Sequence, residues 1–326
     1  MTKTTISETM ISIVPYTADK KAEWDAFVKD SKNGTFLFLR DYMEYHKDRF
    51  EDHSLMYYKD GRLLALLPAN RNGEALWSHQ GLTYGGFVLG LKAHVAEVGE
   101  MFDVTLEHLC AAGIKEWYYK QIPTVYHQFP AEEDSYWLWR YGAEMIECNM
   151  MSAIDLLSEY HISSRRRSYS NHLCKEGWIM ERDTEGLLES FWAILSDNLH
   201  EKYGTSPVHT LNEIKMLQKK FPDKISCYGV KNPQGELEAG VLMYMSSQVA
   251  RTQYISTAPK GKTHKALDFL FVHLIEIIQK QGYRYFEFGT SMEDDGIHLK
   301  ETLVQQKEGF GARSIACRTY RVRVKS

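Results

Sequence analysis

The chain lacks the signatures of the commonest nucleotide, redox and metal enzymes. It has no Walker loop, no G-x-G-x-x-G fingerprint, no H-E-x-x-H, no G-x-S-x-G elbow and no Cys/His set at metal-ligand spacing. Nucleotide hydrolysis, hydride transfer and metallohydrolysis are therefore disfavoured. Cysteine is scarce: Cys110, Cys148, Cys174, Cys227 and Cys317 are dispersed, odd in number and never spaced C-x-x-C. In a chain of 326 residues this reads as reduced, buried thiols rather than a disulfide framework. No apolar run approaches the length of a membrane span, and the start, "MTKTTISETMISIVPYTADKK", has no apolar leader segment. A soluble, cytoplasmic protein is expected. A large charge of either sign is also missing: 39 Lys and Arg stand against 43 Asp and Glu, so no global basic field points to nucleic acid or an anionic membrane.

What is present is an ordinary globular composition, 44% apolar and 25% charged, at a length suited to two domains. In the first half, "SLMYYKDGRLLALLPAN" places two apolar runs around Asp60-Gly61, a hairpin signal. "GEALWSHQGLTYGGFVLG" reads as strand broken at Gly85-Gly86. A helical stripe (Val95, Val98, Met101, Phe102, Leu106, Leu109) follows over Lys92 to Ala112 and stops at Gly113. Then come a strand in "IKEWYYKQI", a polar helix near Glu132 to Tyr141 and a closing "YGAEMIECNMMSAIDL". The second half repeats the order: a hairpin turned at Asn232 to Gly235, the strand "QVARTQYIST", a helix from His264 to Gln281, Gly282, the strand "YRYFEFG", a helix and "KEGFGARSIACRTYRVRV". The landmark pairs Gly61/Gly235, Gly113/Gly282 and Gly142/Gly309 lie 174, 169 and 167 residues apart. A near-constant offset predicts a duplicated unit, with domains 1–155 and 156–326 packed together. "DTEGLLESFWAILSDNLHEKY" and "HTLNEIKMLQKKF", the latter with a Thr210-x-x-Glu213 capping box, supply two opening helices to the second copy. "DKKAEWDAFVKD" and "LRDYMEYHKDRF" supply them to the first.

Two helices, hairpin strands, a strand, a helix, a strand, a helix and a last strand is the order of the GNAT acyltransferase fold. The tandem arrangement resembles the FemAB family, whose members transfer amino acids from aminoacyl-tRNA in peptidoglycan bridge synthesis. It is also similar to tandem BioF2-like acetyltransferase domains. "PVHTLNEIKMLQKKFPDKI", "GELEAGVLMY", "TQYIS", "ALDFLFVHLI", "YFEFGTSMEDDGIHL" and "KEGFGARS" carry the resemblance, over most of Ser206 to Ser314. In the first half it rests on "GTFLFLRDYMEYHKDRF" and "LTYGGFVL". The resemblance implies a mixed α/β fold of two GNAT-like domains. It implies an acyltransferase that moves an acyl or aminoacyl group from acyl-CoA or aminoacyl-tRNA to a small-molecule or peptide amine, with no tightly bound cofactor and no metal. A rival of another class is a GNAT-fold pair that has lost chemistry and recognises a cell-wall precursor, peptide or protein. CoA-dependent members usually carry an Arg/Gln-x-x-Gly-x-Gly/Ala loop that holds pyrophosphate at a helix start. Here the position reads "TAPKGKTHKALDF", with Gly261 alone and Lys260, Lys262 and Lys265 around it. That loop either holds a phosphate or is a solvated lysine segment.

Glu287 lies within an apolar strand, where a carboxylate is costly unless paired or functional. It is a candidate general base in the opening where GNAT folds receive the acyl group, or a partner of Arg284 or Arg251. The same count from the helix-stop glycine lands on Tyr118 in the first copy, which assigns the chemistry to the second copy or the cleft between copies. His209 is a candidate base or a local hydrogen-bonding residue. Gln253 orients a substrate or pairs across strands. The resemblance gives Ser291, Glu293 and Lys307 a site role; beside Glu293, Asp294 and Asp295 read as an exposed acidic loop before a helix. Arg165, Arg166 and Arg167 form a patch for phosphates of tRNA or a nucleotide-linked acceptor, or a solvated segment. Tyr84, Gly85 and Gly86 either let backbone approach a ligand or form a tight turn.

Overall fold

The computed structural model describes residues 10–293 and 296–325; Asp294 and Asp295 lie outside the described residues. The chain divides into two compact units, Met1–Cys148 with Cys317–Ser326, and Asn149–Ala316. The strands Glu144–Asp155 and Arg313–Arg323 each run from one unit into the other, so the final strand ends in the first unit.

In the first unit the strands Ser12–Pro15, Leu55–Lys59, Arg62–Leu67 and Val88–Leu89 form an antiparallel sheet. Asp60 and Gly61, at φ 53° and 70°, make the expected hairpin turn. A second set runs from residues 317–323 through Glu116–Lys120, Ala75–Trp77 and Asn70–Asn72 to Glu51–Asp52. The helix Val95–Ala111 buries Val98, Met101, Phe102 and Leu109 against a core containing Phe87, Trp117 and Tyr119. Most of "GEALWSHQGLTYGGFVLG" is not strand; only Ala75–Trp77 and Val88–Leu89 are.

In the second unit the strand order is Ile179–Arg182, Ile225–Lys231, Leu237–Met245, Val249–Thr257, Tyr285–Thr290, then residues 149–155. Neighbours are antiparallel except Val249–Thr257 and Tyr285–Thr290, which are parallel. The helix Ala266–Lys280 buries Leu270, Phe271, Leu274, Ile275 and Ile278 on one stripe, each contributing roughly 1.5–3 kcal/mol by leaving water. The helix Leu187–Tyr203 is followed by Leu211–Lys220, which starts with the Thr210/Glu213 capping box read from the sequence.

Four readings need correction. The helix expected from about His264 to Gln281 is present as Ala266–Lys280, but its start differs: Pro259–His264 forms a separate turn-and-a-half and Lys265, at a left-handed φ of 61°, divides the two. Pro259 starts the short piece at a position where its missing N–H is no loss. The arginine segment is an α-helix, Ser164–Lys175, which buries only Ser170 and Leu173 and so has almost no apolar stripe to read. Gly309 is ordinary right-handed backbone, whereas Gly311 (φ 96°) is the counterpart of Gly142 (φ 67°), 169 residues away like Gly113 and Gly282. Finally, Cys110, Cys148 and Cys174 are exposed rather than buried.

Candidate functional site

The parallel pair in the second unit stays in register for three residues only: Val249 with Tyr285, Ala250 with Phe286 and Arg251 with Glu287. Beyond that the two strands part. On its other side, Tyr285–Thr290 pairs Glu287 with Ala153 but Thr290 with Met151, so three steps oppose two and one residue is extra. This β-bulge uses Gly289 at φ +76°, a conformation that disfavours side chains. Val249–Thr257 carries its own irregularity: Leu242 faces Tyr254 and Met243 faces Thr252, leaving Gln253 as the extra residue.

A bulge frees backbone groups that must find partners. Glu287, 0% exposed, accepts the Gly289 N–H with one carboxylate oxygen and lies 3.5 Å from the Arg251 Nε with the other. Lys307, 4% exposed, donates to the Gly289 carbonyl (2.9 Å), the Thr290 carbonyl (2.6 Å) and the Ser291 hydroxyl (2.8 Å). Burial pushes the Lys307 ammonium down to about 8, with Glu287 opposing that shift and Arg251 adding to it. The structure thus brings Glu287, Lys307 and Ser291 together around the bulge, and Arg251 is the cation that faces Glu287. Arg284, the other cation considered, pairs with Asp155 at 3.6 Å.

A cavity of about 540 Å³ lies in the same unit, within the usual range for small-ligand sites. The helix Ser164–Lys175 brings Arg165 and Arg166 to one wall, and the Lys265 break brings Gly261, Lys262 and Lys265 to another. Arg166 is engaged internally: it pairs with Asp268 in the first turn of Ala266–Lys280, donates to the Gln306 carbonyl (3.0 Å) and stacks over Phe310 at 4.1 Å. A Cβ at Gly309 would come within 2.8 Å of the Arg166 Nε, so the glycine makes room for that arginine. Arg165, Lys262 and Lys265 remain as exposed cations on the cavity wall, Lys262 donating to the Asn198 side chain at 2.9 Å. Gly261 has a packing reason as well, because a Cβ there would lie 2.1 Å from the Glu238 carbonyl oxygen. Lys260 points away into an exposed pair with Glu236 (3.1 Å), and Arg167 pairs with Glu276 at 3.8 Å.

The remaining candidates are spread more widely. Nδ1 of buried His209 is 2.7 Å from the Tyr254 hydroxyl, on the strand that also carries Gln253. Glu293 is exposed and paired with Lys300 at 2.8 Å. Tyr84 is a core residue of the first unit, its hydroxyl 3.3 Å from Thr35 Oγ1, and Gly85 lies where a Cβ would meet the Ser78 carbonyl at 2.3 Å. Tyr254 and Asp268 were not singled out from the sequence. A tyrosine in a strand and an aspartate in a first helical turn give no signal beyond propensity.

The first unit repeats the short parallel pairing without the buried carboxylate and its cation. Ala75, Leu76 and Trp77 pair in parallel with Glu116, Trp117 and Tyr118, again three residues. Trp77 and Tyr118 therefore occupy the register place of Arg251 and Glu287, and their rings stack at 4.0 Å. Among the described residues no group of three or more His, Cys, Asp or Glu is placed to hold a metal ion, and no helix is long and apolar enough to cross a membrane.

No family model and no curated protein matches the sequence. Solved structures do. The chain is similar to FemX at 12% identity and a TM-score of 0.69, over 96% of this chain and 97% of that one. It is similar to L-PGS from Bacillus licheniformis at 16% identity and 0.61, over 95% and 93%. A tandem GNAT protein from the clavulanic acid biosynthesis pathway matches at 10% identity and 0.51, over 97% and 99%. At such identities the likeness is one of fold: the chain has a FemAB-like tandem GNAT fold of mixed α/β class.

Proposed function

We propose that this protein is an N-acyltransferase or aminoacyltransferase whose reaction takes place in the second unit. The observation that carries the reading is the cavity where Arg165, Lys262 and Lys265 converge on the start of the Ala266–Lys280 helix. Three cations beside a helix N-terminus suit the phosphates of a donor, whether the pyrophosphate of an acyl thioester of coenzyme A or the backbone near the 3′ end of an aminoacyl-tRNA. The splay beyond Arg251 and Glu287 leaves strand backbone without a register partner, so the donor carbonyl can take a strand's place there and be polarised by N–H groups. An amine then attacks that carbonyl. The C–N bond forms, the C–S or C–O bond breaks, and the leaving thiol or ribose hydroxyl takes a proton. Catalysis rests chiefly on orientation. In this reading Glu287 and Lys307 hold the bulge that shapes the opening, and Ser291 and Glu293 flank it.

One observation favours the rival, a binding module without chemistry: the Glu287 carboxylate is fully buried and turned to Gly289 and Arg251. The two readings separate in one experiment. Radiolabelled acetyl-CoA and alanyl-tRNA are each offered with a panel of amines (a lysine-containing peptide, glucosamine, free amino acids), and transfer is measured. Transfer from one donor, reduced at least tenfold in the Arg165→Glu/Lys262→Glu/Lys265→Glu protein, supports acyl transfer. Absence of transfer from either donor, with a cell-wall precursor peptide still raising the melting temperature, establishes the binding module instead.

A further inference from the structure

We propose that Tyr254 and His209 form the proton relay for the acceptor amine, a role that rests on the acyl-transfer reading above. Tyr254 lies three residues past Arg251, on the stretch of Val249–Thr257 that has parted from Tyr285–Thr290. Its other edge is in register with Leu242, and the bulge at Gln253 resets which side chains face which way just before it. The Tyr254 hydroxyl meets His209 Nδ1 at 2.7 Å, a strong hydrogen bond. His209 does not drift with its loop. Gly204 ends the preceding helix in a left-handed cap, and Thr210 opens the next through its capping box, so the backbone on both sides of the segment is fixed. The Trp192 ring meets Tyr254 edge-on at 5.3 Å and limits its rotation.

The groups facing the pair set its chemistry. Glu213, from the Leu211–Lys220 helix, is a negative charge whose field reaches Tyr254, and it accepts the Thr210 N–H at 2.7 Å. The His209 backbone and the Gln253 side chain both hydrogen-bond the phenol and oppose the effect of burial, and Trp192 from the Leu187–Tyr203 helix is neutral. Burial raises the tyrosine above its ordinary range, so the phenol stays protonated and cannot act as a base by itself. Coupled to an imidazole it can. As the amine attacks, its proton passes to the Tyr254 oxygen while the phenolic proton moves to His209 Nδ1. The Nδ1 proton then goes back to the Tyr254 oxygen while the phenolic proton passes to the leaving thiol or ribose hydroxyl, and the pair is regenerated. Every proton is accounted for, and no oxidant or metal is needed.

The test uses the donor and amine that turn over in the screen above, with Tyr254→Phe, His209→Gln and the full chain. The relay predicts a kcat lower by roughly 10²–10³-fold in both variants, with little change in donor KM, and loss of the acid limb of the pH–rate profile. It also predicts that the His209 imidazole titration, followed by NMR of the selectively labelled protein without any substrate, moves in Tyr254→Phe. Wild-type kcat and an intact acid limb in Tyr254→Phe would overturn the relay while leaving acyl transfer standing. If no donor turns over at all, the acyl-transfer reading fails first and the relay with it. A lowered melting temperature with unchanged pH dependence would assign the pair to loop anchoring and overturn the proposal.

Discussion

Glu287 and Lys307 are buried where an ionisable side chain is costly, and a bulge gives each of them backbone to satisfy. The carboxylate takes the N–H that Gly289 cannot give to a neighbouring strand, and the ammonium takes the carbonyls of Gly289 and Thr290. Removing either should therefore act on stability before anything else. Glu287→Gln leaves Arg251 and Lys307 buried without their counter-charge and should cost roughly 3–5 kcal/mol. Lys307→Met strands two carbonyls and should cost roughly 1–3 kcal/mol for each. Urea denaturation of the purified variants measures both; midpoints equal to wild type would show that the bulge holds itself. The Lys307 pKa adds a sign. Its folded value of about 8 lies below the ordinary 10.5, so the unfolded chain binds more protons between those two values and stability rises with pH across that window. Lys307→Met should abolish its share of that rise.

Among the elements, the hairpins, the helix-stop glycines and the capping box were legible because each has a local cause: a left-handed turn, a left-handed cap, a reciprocal side-chain bond. The parallel strands could also be placed, since Phe286 and Phe288 alternate with Glu287. Two elements that build the cavity could not. The Ser164–Lys175 helix is polar nearly all round and is held by packing on Ala266–Lys280, a contact far away in sequence. The break at Lys265 has no glycine to mark it; a lysine itself takes the left-handed conformation between Pro259–His264 and Ala266–Lys280. The convergence of Arg165 with Lys262 and Lys265 on one cavity therefore leaves no mark in the sequence. Lys265→Gly should relieve about 1 kcal/mol of backbone strain, so its melting temperature should hold or rise. Its affinity for inorganic pyrophosphate, measured by calorimetry, should fall if the cavity holds phosphates. Gly261→Ala should behave in the opposite way, losing stability because its Cβ would lie 2.1 Å from the Glu238 carbonyl oxygen. A stable Gly261→Ala protein would mean that the loop moves freely away from that strand.

Across the whole molecule, the buried titrating groups are unevenly shared, and this makes acid a probe of one unit. Buried Lys120 in the first unit and Lys307 in the second are both pushed down to about 8, so an alkaline gain in stability belongs to both. On the acid side two strongly shifted and deeply buried groups, His79 and Asp134, lie in the first unit. Burial pushes His79 down to about 3, so its contribution, complete above the ordinary 6.5, is lost as pH falls toward 3. Burial pushes Asp134 up to about 6, against the hydrogen bonds from Tyr119 and Gln121. Its folded form takes a proton before the unfolded chain does, so it stabilises as pH falls from 6 toward 3.8. Between pH 6 and 4 these two contributions run in opposite directions, about one proton each, while His53, His108 and His127 of the same unit, also held below the ordinary range chiefly by burial, add to the loss on the acid side. Removing one partner exposes the other. His79→Asn, which keeps a residue tolerant of the φ of 57°, should be more stable at pH 4 by up to about 3 kcal/mol relative to the wild-type change over that interval. Asp134→Asn should lose a similar amount. Hydrogen exchange of Val95–Ala111 at pH 6 and pH 4, referenced to Ala266–Lys280 in the second unit, reads the difference directly. Equal slopes in the wild type and both variants would show that neither group is as deeply desolvated as its place in the core indicates.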